Sequence, residues 1–259
     1  MFGLVDAAPV TATVIGDLDA LDAAVVVLAA VATSAMSAIA GFGGGMVLLL
    51  VMLFVLDPVV AVAVHGAVQL PSNASRAWRH RRAVDRRIVG AHAVLLLPGG
   101  LLGLAIADRL SRDVGRALIG TFAIVATWRP GWLSPRPSGE IRPRDFVFVG
   151  GVQGVANIPI GATGPAVAPF FKAACDDRIA MIGTFAAAQT LGHAAKLAVI
   201  GLGDVGDHWV LVVAAGAATV LGTNLGSRVL ERMSDRRFDQ IFRWTLTFMG
   251  AQLVLRALW

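Results

Sequence analysis

The sequence predicts an all-α integral membrane protein of two inverted-topology repeats, each a glycine-broken helical hairpin followed by three membrane helices. The 259 residues are 56% hydrophobic and 15% charged, with a mean hydropathy of +0.73, a composition unsuited to a soluble surface. Uncharged stretches such as Ala23 to Gly45 and Ile88 to Ala107 approach the length of about 20 residues that a bilayer core about 30 Å thick requires. Rare polar positions in the first half also recur in the second.

Residues 1–19 carry Asp6, Asp17 and Asp19 and neither Lys nor Arg, unlike the basic start of a cleavable signal peptide, so a retained tail is expected. Hydrophobic segments follow at roughly 20–41, 45–56, 58–76, 88–107 and 115–129, which make up repeat 1 over residues 20–129. The stretch Trp128 to Asp145 holds four prolines, Gly131 and Gly139. It cannot be one helix and supplies a linker at 130–144. Repeat 2, residues 145–259, contains segments at 145–158, 165–175, 178–200, 209–227 and 243–259. A gapless shift lays Gly41, Gly44, Asp57, Gln69, Ala74 and Arg76 on Gly161, Gly164, Asp177, Gln189, Ala194 and Lys196. A one-residue slip then pairs Gly103 with Gly222 and Arg109 with Arg228.

Lys and Arg concentrate in short cytoplasmic loops. Six arginines lie in 76–87, four in 129–144 and five in 228–243, with Lys172 and Arg178 in 172–178. The opposite loops hold three in 108–116 and none in 201–208. If each half opens with a hairpin, re-entrant or spanning, and continues with three crossings, the halves are inverted. The linker is then cytoplasmic, and both termini lie outside the cytoplasm. The sequence pI near 10.8 reflects these clusters rather than one basic face, so no nucleic-acid partner is expected.

The run Gly41-Phe42-Gly43-Gly44-Gly45 interrupts a membrane-length apolar stretch, and each glycine disfavours helix by about 1 kcal/mol. Non-helical backbone at that depth must be buried in protein or face a wet cavity. The half-helix after it points free N–H groups and a positive dipole end into that cavity, a match for an anion. Asn157-Ile158-Pro159-Ile160-Gly161-Ala162-Thr163-Gly164-Pro165 makes the second break, with Pro165 suited to a first helical position. Close helix packing is the alternative use of these glycines.

After each break runs a polar stripe, Gln69, Asn73 and Arg76 in the first half and Gln189, His193 and Lys196 in the second, each on one helical face. The candidate binding residues are Gly41, Phe42, Gly43, Gly44, Gly45, Gln69, Asn73, Gly161, Thr163, Gly164, Gln189 and His193. Interhelical hydrogen bonding is the alternative for the amides, and for Arg76 and Lys196, near segment ends, snorkelling to an interface is expected. His65 and His193 are candidate proton relays or neutral structural groups, while His92 lies close enough to a segment end to meet water. Asp57 and Asp177 are expected to cap the helices after them.

Cys175 is the single cysteine, no His-Glu-x-x-His signature or nucleophile with a nearby base is present, and Glu140 and Glu231 are the only glutamates. No enzyme activity, catalytic residue, metal or cofactor is expected.

Gly41-Phe42-Gly43-Gly44-Gly45, the Asp57-Pro58 turn and His80-Arg81-Arg82 followed by Val84-Asp85 resemble the first half of TauE/SafE-type sulfite exporter permeases. Gly161 to Pro165, Gly183-Thr184 and Gly222-Thr223-Asn224-Leu225-Gly226-Ser227-Arg228 resemble that family's second copy. The sequence departs from the pattern where the second glycine run is reduced to Gly161-Ala162-Thr163-Gly164 and where Val64-His65-Gly66 replaces a Thr-Ser. The resemblance implies an inner-membrane permease for sulfite, sulfonates or similar organosulfur anions. The expected partners are that small anion and the lipid bilayer, with a second copy of the chain as a candidate. A passive anion channel of the same fold and a non-transporting assembly or sensor subunit are the alternatives.

Overall fold

The structure is a computed structural model that describes residues 18–40, 43–133, 141–229 and 235–258. Among these the chain is helical with no strand. In order come α1 (Ala20–Ala40), α2 (Gly44–Val55), α3 (Pro58–Arg79), α4 (Arg86–Ala93), α5 (Leu96–Ala107), α6 (Arg112–Trp128) and the short α7 (Pro130–Leu133). After the linker come α8 (Asp145–Asn157), α9 (Gly164–Ala174), α10 (Arg178–Ile200), the short α11 (Gly203–Asp207), α12 (Trp209–Val229) and α13 (Asp235–Leu258).

Burial is inverted relative to a water-soluble protein. Large apolar side chains face outward, Leu28 at 70% and Phe148 at 73% exposure, with Leu101, Val213 and Phe248 beside them in kind. Polar side chains such as Ser72, His92, Gln153, Thr184 and Thr219 are fully enclosed. An apolar exterior with polar side chains enclosed inside suits hydrocarbon solvent. By length and composition, Ala20–Ala38 and Trp209–Gly226 are long and apolar enough to cross a membrane, and α4 with α5 makes a third such stretch bent by 41°. The equally long α3 and α10 are less apolar because they carry the polar stripes.

The bend divides what the apolar run at 88–107 suggests is one helix. Pro98 has no N–H to give the carbonyl of Val94, and its ring crowds that carbonyl, so the helix parts at Val94 and Leu95 and restarts at Leu96.

Helices pair in a recurrent way: α1 packs along α12, α5 along α8, α3 along α10 and α6 along α13. Small residues allow the close approach. A Cβ on Gly222 of α12 would lie 2.2 Å from the Val31 carbonyl oxygen of α1, and one on Gly154 of α8 would lie 2.6 Å from that of Leu96 in α5. The main apolar core gathers around α2, where Leu48, Leu49, Leu50 and Met52 are fully buried among Val26, Val64, Leu211 and Leu246. A second cluster joins Phe146, Phe171 and Phe185 across α8, α9 and α10.

Asp177 caps α10, accepting from the N–H groups of Ile179 and Ala180 at 2.7 and 2.8 Å. Asp57 departs from the expectation of a cap. Its carboxylate pairs with Arg112 at 3.1 Å and Arg116 at 3.6 Å, because α6 brings two guanidinium groups to the α3 start.

Candidate functional site

Both interruptions are real breaks in the helices. Gly43, at φ 98°, ends the first, and α2 starts at Gly44; Gly161, at φ 80°, sits in the second, before α9 starts at Gly164. Those left-handed backbone angles are ones that glycine adopts readily and other residues rarely do. The first-turn N–H groups of α2 have no partner within the helix, and two of them come from Gly44 and Gly45, which carry no side chain to cover them. In α9 Pro165 supplies no N–H, so the second start offers fewer donors on a stiffer backbone.

One small cavity, of about 40 Å³, lies where the two starts meet. Gly43, Gly45 and Met46 line it from the first break, and Ala162, Thr163, Gly164 and Pro165 from the second. Helix α3 contributes His65, Gln69, Asn73 and Arg76; α10 contributes Phe185, Gln189 and His193; Ser37 and Asn157 close it from the ends of α1 and α8. Among the described residues no lining side chain is acidic. The four-residue spacing of the stripes is what puts Gln69 with Asn73, and Gln189 with His193, on the faces turned inward.

Several lining groups have hydrogen-bonding capacity left over. Among the described residues, Thr163 Oγ1, Gln189 Nε2 and His193 Nδ1 are buried without a partner. Buried polar atoms in proteins are nearly always satisfied, so a set of such atoms around one cavity points to a ligand or water. His65 Nε2 lies 2.8 Å from the Gly45 carbonyl oxygen, which can only accept, so Nε2 carries the proton and fastens α3 to the start of α2. The rings of His65 and His193 meet edge to face with centroids 5.6 Å apart.

The sequence expectation for Arg76 and Lys196 needs correction. Instead of snorkelling, they are 5% and 2% exposed. Arg76 donates from one guanidinium nitrogen to the Ser37 carbonyl at 3.0 Å and from another to Asn73 Oδ1. Lys196 Nζ donates to the Gly161 carbonyl at 2.9 Å. The helix termini leave carbonyls needing donors inside the protein, and these long side chains reach them. His92, expected to meet water, is fully buried against Phe171 and hydrogen-bonded to Gln153.

Of the candidate binding residues, Gly43, Gly45, Gln69, Asn73, Thr163, Gly164, Gln189 and His193 come together at the cavity. Gly41 and Phe42 lie outside the described residues. Gly44 turns to α1 instead, where a Cβ would come 1.9 Å from the Thr33 carbonyl oxygen. Gly161 stands behind the lining, offering its carbonyl to Lys196. Sequence reasoning missed Ser37, Met46 and Phe185 as lining residues, and it missed Gln153. The pair Gln153 and Asn157, one turn apart on an otherwise apolar helix, is a signal that could have found the last.

Compared with known families, the chain matches the model described as Sulfite exporter TauE/SafE over residues 26–253. No curated protein and no solved structure matches it.

Proposed function

Because the chain belongs to the sulfite exporter TauE/SafE family, we propose that it moves a small organosulfur anion, sulfite or a sulfonate, through the cavity between the starts of α2 and α9. Members of that family are membrane transporters rather than enzymes. One observation carries the choice of site: among the described residues, two helix starts meet at a cavity whose lining contains Arg76 and unpartnered groups of Thr163, Gln189 and His193, and no carboxylate. Helix dipoles, amide N–H groups and a guanidinium all favour negative charge, and the planar guanidinium fork suits an oxyanion. The glycines at the first start leave backbone amides open to close approach.

The two halves act as inverted repeats in this reading. Support comes from the packing pairs, since exchanging the halves turns the α1 and α12 pair into the α8 and α5 pair and leaves the α3 and α10 and the α6 and α13 pairs unchanged. Rocking of one half on the other then exposes the cavity to each side in turn. The concentration of arginines in the loops supports an orientation in the cell's inner membrane with the linker in the cytoplasm and both termini outside it. His65 and His193, in ring contact beside the cavity, are the pair through which a proton would accompany the anion.

Purified protein in liposomes tests this reading with sulfite, sulfoacetate and taurine as substrates. Flux of one of them, lost in Gln69→Leu protein that still inserts, is the expected result. Absence of flux and of binding for every sulfur anion would sink the substrate class. Flux indifferent to an imposed pH gradient would remove the histidines from any coupling role.

A further inference from the structure

We propose that His92 and Gln153, which do not line the cavity, form a buried relay that fixes which end of the Gln189 amide meets the anion. The proposal rests on the cavity being an anion site and assigns positioning residues to it.

Three hydrogen-bonding groups stand in line across α4, α8 and α10. Gln153 Nε2 donates to Gln189 Oε1 at 3.0 Å, and Gln153 Oε1 lies 2.9 Å from His92 Nε2. An amide oxygen only accepts, so His92 Nε2 is the donor in that contact. With its oxygen engaged, Gln189 is left with an Nε2 that has no partner, in a side chain that lines the cavity. The line therefore runs in one direction, and an N–H is what remains at its cavity end.

Direction has to be imposed, because the two ends of an amide are almost the same size and shape does not distinguish them. Were Gln153 turned over, its oxygen would face Gln189. The Gln189 Nε2 would then satisfy that oxygen, and Oε1 would be presented to the cavity, where it repels an anion. A proton on His92 Nε2 favours the first arrangement, its Nδ1 being buried without a partner among the described residues. The surroundings hold that donor still: His92 and Gln153 are fully buried, and the His92 ring packs edge-on against Phe171 with centroids 5.7 Å apart. Gly192 makes the room, since a Cβ there would come 3.0 Å from Gln153 Nε2.

The experiment measures sodium sulfite binding to the full chain in detergent by calorimetry, with thermal unfolding without sulfite alongside. Wild-type protein comes first, with sulfoacetate and taurine titrated where sulfite does not bind; if it binds none of the three, the cavity reading itself is overturned. His92→Phe keeps the aromatic packing on Phe171 but removes the donor, whereas His92→Gln returns an N–H to the same place. The relay predicts that His92→Phe and Gln153→Met each weaken sulfite binding about tenfold. His92→Gln should stay within about threefold of wild type, and adding Gln153→Met to Gln189→Met should weaken binding no further. Given wild-type binding, unchanged affinity in His92→Phe and Gln153→Met overturns the relay. So does a His92→Gln variant that loses as much affinity as His92→Phe. If Gln153→Met does not fold, the two His92 variants decide alone.

Discussion

Lys196 Nζ donates to the carbonyl oxygen of Gly161 at 2.9 Å, so a side chain of α10 fastens the backbone turn that precedes α9. The turn bends at Gly161, at φ 80°, and Thr163 provides no side-chain cap. Lys196→Met keeps the apolar stem and removes the donor. It should lower stability by about 1–3 kcal/mol, the cost of leaving a buried carbonyl unsatisfied. Thermal unfolding in detergent measures this, and an unchanged midpoint would show the contact to be dispensable.

Arg76 is expected to matter for charge and for shape. Its guanidinium serves Ser37 and Asn73 at once, which a single ammonium cannot do with the same fork. Arg76→Met should weaken sulfite binding about tenfold or more, and Arg76→Lys should recover part of it. Equal affinity in wild type and Arg76→Met would move the anion elsewhere.

Three glycines near the breaks should respond differently to the same added methyl. At Gly44 a Cβ meets the Thr33 backbone at 1.9 Å, at Gly45 it meets the Gln69 amide at 2.8 Å, and at Gly164 the nearest atom is Phe185 Cζ at 3.5 Å. Gly44→Ala should therefore destabilise the α1 and α2 hairpin, Gly45→Ala should displace Gln69 and cut affinity, and Gly164→Ala should change little. Unfolding midpoints and sulfite titrations on the three variants separate these outcomes. A Gly44→Ala protein as stable as wild type would contradict the packing.

Cys175, in the turn between α9 and α10, provides a topology test. Burial pushes its thiol up from the usual range, against a hydrogen bond from Thr184 that lowers it, and Asp85, Asp176 and Asp177 push it further up. Less thiolate is present at neutral pH, so maleimide labelling should be slow there and accelerate as pH rises through the elevated value. A membrane-impermeant maleimide should reach it in inside-out vesicles and not in right-side-out ones. The reverse pattern would invert the assigned orientation.

Much of this could be read from the residues, and the failures share a cause. The α10 bounds, 178–200, match the apolar run because Asp177 and Gly201 delimit it. The stripes Gln69 with Asn73 and Gln189 with His193 were legible because helical spacing alone puts them on one face. Arg76 and Lys196 were misjudged because nearness to a segment end gives a distance along the axis and says nothing of which neighbour that face meets. The bend after Ala93 hid in an uninterrupted apolar run, since its cause, Pro98, acts on a carbonyl one turn earlier. Gln153 had a one-turn spacing to Asn157 but nothing to name its partner, since His92 comes from a helix far away in the chain.

The absence of carboxylates, among the described residues, from a cavity that holds Arg76 and two helix starts bears on how the protein would cycle. Closing it around an anion neutralises positive potential, whereas closing it empty leaves that potential uncompensated in hydrocarbon. The loaded carrier should thus reorient faster than the empty one. Anion supplied on the far side should accelerate efflux, making exchange the fast mode and net movement the slow one.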